Sequence, residues 1–227
     1  MKQVIVFLAA LFLIVSFNLS AETVVADDGF SSKGSAWSAG YGDWKVQSGR
    51  LYQMDSEEPL AKINLRVPQS GVMQYEFHAK YVDGGMDGHA GFGVHIFVDR
   101  AFNGKSWGNG NSYLLWLNYD VNTDKMEHYG YRAQLYKSTG HSTMKVVDAY
   151  NLKIPSSFLK QEYLFADIPV KLRIDADTGE VRAYNPLRSD YYYYFYLPED
   201  LSRGSYFSVR TNSLAASFDN LKITKIQ

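Results

Sequence analysis

Apolar and polar residues take turns along most of this chain, and a period of two fits strands with one covered face and one wet face. In Val72 to Val82, Met73, Tyr75, Phe77, Ala79 and Tyr81 alternate with Gln74, Glu76, His78 and Lys80. Ala61, Ile63, Leu65 and Val67 alternate in the same way with Lys62, Asn64 and Arg66. The same reading places strands at 91–98, 113–119, 129–136, 144–150, 170–175, 181–184, 191–197, 205–210 and 221–226. Turn-forming clusters separate them, among them Pro68-Gln69-Ser70-Gly71, Asp83-Gly84-Gly85 and Asp177-Thr178-Gly179. About a dozen short strands so punctuated predict an all-β sandwich or barrel. Helix is expected at most once, as a turn or two over Ser156 to Phe165 after Pro155. No repeat and no long linker divides the chain.

The N-terminus obeys a different rule. Lys2 precedes an apolar run from Val4 to Phe17, broken only by Ser16, and Leu19-Ser20-Ala21 ends in a small residue. This is the layout of a secretory signal, and the run is shorter than the ~20 residues a spanning helix needs. Cleavage after Ala21 is expected, leaving one domain over 22–227, periplasmic or secreted, with no integral span. The chain has no cysteine, which excludes disulfides, thiolate chemistry and a cysteine-linked lipid anchor. A formal net charge of −1 suggests neither nucleic acid nor an anionic membrane as partner.

Asp28-Gly29-Phe30, then Trp37, then Gly42-Asp43-Trp44-Lys45-Val46-Gln47-Ser48-Gly49-Arg50-Leu51, resemble the opening of exported concanavalin A-like lectin/glucanase domains. Ser217-Phe218-Asp219-Asn220-Leu221-Lys222-Ile223 is similar to the closing strand of that superfamily, which lies near the first. The resemblance implies an antiparallel two-sheet jelly-roll with one convex and one concave sheet, Asp28 and Phe30 opening the first strand, and Trp37 and Trp44 in the core. It implies no single function, because the superfamily holds lectins, glycosidases, adhesive modules and structural proteins.

Catalytic members of the superfamily usually carry E-x-D-x-x-E on one strand. The comparable spacing here, Asp175-Ala176-Asp177-Thr178-Gly179-Glu180, reads better as a hairpin turn. Glu76 and His78 share a strand face, and with His95 on a nearby strand they form either an acid, base or metal-binding cluster or a set of solvated residues. Asp120-Val121-Asn122-Thr123-Asp124 alternates oxygen ligands, but Lys125 and Tyr131 stand where an EF-hand needs Gly and Glu. There, as at Asp83 to His89, a turn is the preferred reading and structural calcium the alternative. No other cofactor is expected.

Two segments point to recognition. The glycine-rich stretch Phe102 to Tyr113 sets Trp107 beside Asn109 and Asn111, an apolar ring for a sugar's C–H face and amides for its hydroxyls, unless Trp107 plugs the core. Trp116, out of phase with Leu115 and Leu117, points either into the concave cleft or to solvent. In Tyr191 to Tyr196, alternation sends Tyr191, Tyr193 and Phe195 one way and Tyr192, Tyr194 and Tyr196 the other. One row is expected in the core and the other, Tyr192, Tyr194 and Tyr196, against a partner or an internal cover. The leading expectation is a non-catalytic module that binds a glycan or glycosylated surface. The alternatives are an assembly protein of the cell envelope or an exported filament, and a divergent glycoside hydrolase.

Overall fold

The computed structural model describes residues 21–85, 89–120, 130–153, 165–186, 188–198 and 203–227, and within them every regular element is a strand. In chain order these are β1 (Glu22–Asp28), β2 (Trp37–Tyr41), β3 (Trp44–Gln47), β4 (Arg50–Gln53) and β5 (Ala61–Gln69). Then come β6 (Val72–Gly84), β7 (Gly91–Val98), β8 (Asn111–Asp120), β9 (Gly130–Thr139) and β10 (Met144–Lys153). The last five are β11 (Ile168–Asp175), β12 (Glu180–Asn185), β13 (Arg188–Tyr196), β14 (Gly204–Asn212) and β15 (Leu214–Ile226). The signal segment 1–20, most of the expected helical turn (156–164), and the parts of the candidate calcium loops at 86–88 and 121–124 lie outside the described residues.

The strands form two antiparallel sheets, as an all-β sandwich requires. One runs β13-β12-β11-β6-β15-β4-β3, with β1 also paired to β15; the other runs β10-β9-β8-β7-β14-β5-β2. Their inner faces carry the alternating apolar residues, and aromatic rings join them across the core. Phe218 of β15 meets Phe92 of β7 at 6.0 Å, and Tyr75 of β6 stacks on Phe207 of β14 at 5.5 Å. Burying each such ring contributes about 1.5–3 kcal/mol. Trp37 and Trp44 are buried, their indole nitrogens donating to Asp28 Oδ2 and the Tyr41 carbonyl, both at 2.8 Å.

Several expectations change. Asp28 closes β1 rather than opening it, because its carboxylate accepts from the Phe30 amide and the Trp37 indole and turns the chain toward the other sheet. β15 begins seven residues before the expected 221, and a bulge after Asp219, with Asn220 at φ 51°, resets its phase. Phe218 and Leu221 can therefore both point inward despite their odd spacing. The first and last described residues meet here: β1 pairs with β15, Glu22 opposite Ile226, and the Gln227 amide donates to the Ala21 carbonyl at 2.9 Å.

The largest departure is on β5. Lys62 and Asn64, expected on a wet face, are fully buried. The segment between β7 and β8 crosses over them, so this sheet is covered on both sides at that end.

Candidate functional site

The outer face of the seven-stranded sheet holds a cleft of about 610 Å³, within the usual range for small-ligand sites. Two tryptophans shape it. Trp116 of β8 points away from the sandwich core and packs with Leu114, Met144 and Tyr136. Its indole lies against β7 where Gly91 and Gly93 stand; a β-carbon would come within 2.7 Å of the ring at Gly91 and 2.9 Å at Gly93. These glycines leave room for the ring to rest on the backbone, and Trp116 Nε1 donates to Asn118 Oδ1 at 2.6 Å. The ring is 7% exposed and forms floor.

Trp107 stands over that floor, 42% exposed. The loop that carries it is tied down on both sides of the ring. The Gly108 amide donates to the His141 carbonyl at 2.8 Å, and the Asn109 amide to Ser138 Oγ at 2.9 Å. Asn109 Nδ2 reaches Asn64 Oδ1 at 3.1 Å and Ser208 Oγ at 2.9 Å. The Trp107 indole N–H donates to the Met144 carbonyl at 2.7 Å, and the ring meets Tyr136 edge-on at 6.2 Å. Amides of Asn118, Gln134 and Asn212 border the same space.

Beneath the loop lies a buried row of nitrogen-bearing side chains. Arg210 of β14 is 1% exposed; its Nη1 donates to the Trp107 carbonyl at 2.6 Å, and its guanidinium sits 5.4 Å from the Trp107 ring centre. Burial lowers its pKa to about 10, which leaves it charged at neutral pH. Lys62 donates to the Gly104 carbonyl at 2.9 Å and to Ser106 Oγ. Burial, then the Arg210 charge, lower its pKa to about 7. His95, fully buried with Nδ1 3.0 Å from Ser112 Oγ, is pushed well down by burial and by both cations, so it is neutral. Burial pushes the Tyr136 hydroxyl up.

Of the residues singled out in the sequence, the structure brings Trp107 and Trp116 together in this cleft. Asn109 lies behind the loop as a buried brace, and Asn111 faces elsewhere, its Nδ2 donating to Asp99 Oδ2 at 3.0 Å. Glu76, His78 and His95 do not form a cluster. β6 and β7 are consecutive in the chain but belong to different sheets, so Glu76 and His78 lie on the outer face of the eight-stranded sheet. There Glu76 pairs with Lys171 at 3.2 Å and His78 with Asp167 at 3.4 Å. Tyr192, Tyr194 and Tyr196 lie on β13, the outermost strand of that sheet, and all are exposed. The row expected to be buried reaches the core only through Phe195, since Tyr191 and Tyr193 are also exposed. Residues not anticipated are Arg132, Gln134, Tyr136 and Arg210. Each sits in phase with its strand's polar positions, so only the sheet assignment reveals that they share a cleft.

Among the described residues no three His, Asp or Glu side chains group as a metal site, and no helix is long and apolar enough to cross a membrane. The expected hairpin at Asp175 to Glu180 is present, with Asp175 Oδ1 accepting from the amides of Asp177 at 2.9 Å and Thr178 at 3.1 Å.

No protein-family model and no curated protein matches this sequence. Solved structures do. The carbohydrate-binding module CBM66 from Bacillus subtilis is 14% identical, covering 82% of this chain and 93% of its own, with a TM-score of 0.56. The CBM2 module of the evolved Dit of Lactobacillus casei BL23 phage J-1 is 9% identical, covering 91% and 97%, with a TM-score of 0.62. The carbohydrate recognition domain of Emp47p is 14% identical, covering 88% and 93%, with a TM-score of 0.52. At such identities the likeness is one of fold, and by fold the chain is a two-sheet jelly-roll sandwich like those of carbohydrate-binding domains.

Proposed function

We propose that this protein is a non-catalytic glycan-binding module that works outside the cytoplasm and holds its ligand in the cleft between Trp107 and Trp116. One observation carries the reading: two tryptophans, one on the loop before β8 and one on β8 itself, meet in a single cleft bordered by three amides. A ring face suits the C–H face of a sugar, and amides suit its hydroxyls. The fold likeness to carbohydrate-binding domains supports it. So does the cleft lining, which among the described residues contains no carboxylate, where glycoside hydrolysis ordinarily uses two. The extracytoplasmic address rests on the signal-like segment Met1 to Ala21.

The test is a glycan array followed by titration of a hit against Trp107→Ala. Because Trp107 is partly exposed, the variant should stay folded with a modestly lower melting temperature, from the lost Met144 and Tyr136 contacts, and bind about tenfold more weakly, the loss of one aromatic contact of about 1.4 kcal/mol. Unchanged affinity would remove the cleft from the reading.

A second reading, docking to a protein of the cell envelope or an exported filament, is favoured by a separate observation. Tyr191, Tyr192, Tyr193, Tyr194 and Tyr196 are 37–68% exposed on one outermost strand. Tyrosine is enriched at interfaces because it joins a large apolar area to a polar tip.

A further inference from the structure

The cleft carries a charge its chemistry does not balance. Arg210 is buried and charged, its Nη2 finds no hydrogen-bond partner among the described residues, and it lines the cleft. Arg132 of β9, half-buried, lines the same space. Lys62 lies one strand beyond Arg210, Lys62 opposite Arg210 in the β5–β14 ladder, and donates only to neutral oxygens. Among the described residues no aspartate or glutamate pairs with Arg210 or Lys62, and none lines the cleft. Taking an unpaired guanidinium out of water costs several kcal/mol, which a fold retains where the charge has a partner to meet. The whole chain has a formal net charge of −1, so this concentration is local and not a general basic character.

Resting on the glycan reading above, we infer that the cleft takes an acidic saccharide, one bearing carboxylate or sulfate groups. The sugar ring lies against Trp107 and Trp116, and its anionic substituent faces Arg132, while the buried Arg210 guanidinium adds its charge from the cleft wall. Arginine suits this task because its fixed fork of N–H donors matches a planar carboxylate or a sulfate edge. Neutral sugars of the same shape can offer hydroxyl acceptors but no counter-charge to Arg210 and Arg132.

An array with three arms tests this: neutral oligosaccharides, oligosaccharides containing uronic acids, and sulfated oligosaccharides. Hits in either acidic arm are expected, with affinity that falls several-fold between about 0.02 and 0.3 M NaCl as screening shortens the reach of the arginines. The two acidic arms tell carboxylate from sulfate. Arg132→Gln, at a half-buried position that leaves folding intact, should weaken an acidic hit about tenfold, the scale of one charged hydrogen bond, and flatten its salt dependence. Hits confined to the neutral arm overturn the acidic ligand and leave the glycan reading standing. An acidic hit whose affinity ignores both salt and Arg132→Gln also overturns it. Binding in no arm overturns the glycan reading and this inference together.

Discussion

The two outer faces of the sandwich handle charge in opposite ways. On the eight-stranded sheet several cations meet an acid within reach of water: Lys171 meets Glu76 at 3.2 Å, and Arg50 meets Asp167 at 2.9 Å and Asp219 at 3.4 Å. Such exposed pairs contribute about 0–1 kcal/mol each and keep a surface solvated. On the seven-stranded sheet Lys62 and Arg210 are buried beneath a loop and meet carbonyls and a hydroxyl instead of acids. The same two-residue alternation underlies both faces. What separates them is the crossing segment between β7 and β8, which takes water away from one face and mounts Trp107 over what remains.

The sharpest way to break the contrast is to spoil the seat of Trp116. Gly93→Ala would push a β-carbon against the Leu115 carbonyl and the Trp116 ring. Overpacking of this kind costs about 1–3 kcal/mol, and the ring must lift from the sheet. A lowered melting temperature, a changed near-ultraviolet tryptophan signal and loss of glycan binding are expected together; a parent-like spectrum would mean that the ring does not rest there.

A smaller effect separates the faces by pH. Lys62 has a pKa of about 7 when folded against 10.5 when exposed, so the unfolded chain binds more protons between those values and stability climbs as pH rises through that window. Buried, neutral His95 extends the trend downward, since its unfolded form gains a proton below about 6.5 and acid therefore destabilises the fold. The melting temperature should rise by several degrees from pH 7 to 10, and Lys62→Met should flatten that rise while keeping the acid-side fall. An unaltered slope in the variant would assign it to another group.

The smallest effect belongs to the other face. Replacing Tyr192, Tyr194 and Tyr196 together by Ser removes exposed rings from an outermost strand and should cost no more than about 0.5 kcal/mol per site. Sedimentation of parent and variant, alone and with envelope extract, then reads out the docking alternative: loss of a complex supports it, and identical behaviour ends it.

Much of the fold was legible because it is local. The strand at 91–98 appears with its expected bounds, and the Asp175 to Glu180 hairpin follows from Asp and Gly at turn positions. β2 leaves no trace in the sequence, since Trp-Ser-Ala-Gly-Tyr is too short and glycine-broken to show a period. For the site, an exposed tryptophan in a glycine-rich loop could be singled out, and Trp116 could be seen to point away from its neighbours. Both could be named for one sugar site, but the cations beneath them could not, because Arg132 and Arg210 reach that cleft only through the sheet their strands join. The same reason dissolved the grouping of Glu76, His78 and His95: adjacency in sequence put β6 and β7 side by side, and the sandwich put them on opposite layers.

The pairing of β1 with β15 also decides how this molecule can be held. Residues 21 and 227 meet at one point on the eight-stranded sheet, while the cleft opens on the outer side of the seven-stranded one. A tether or a fused neighbour at either end therefore leaves from the far layer, and the cleft stays turned toward whatever the tethered protein faces. A short linker between residues 21 and 227 would close this segment into a ring without crossing the binding face, so new termini could be cut into an exposed turn such as Asp177-Thr178 with the cleft untouched.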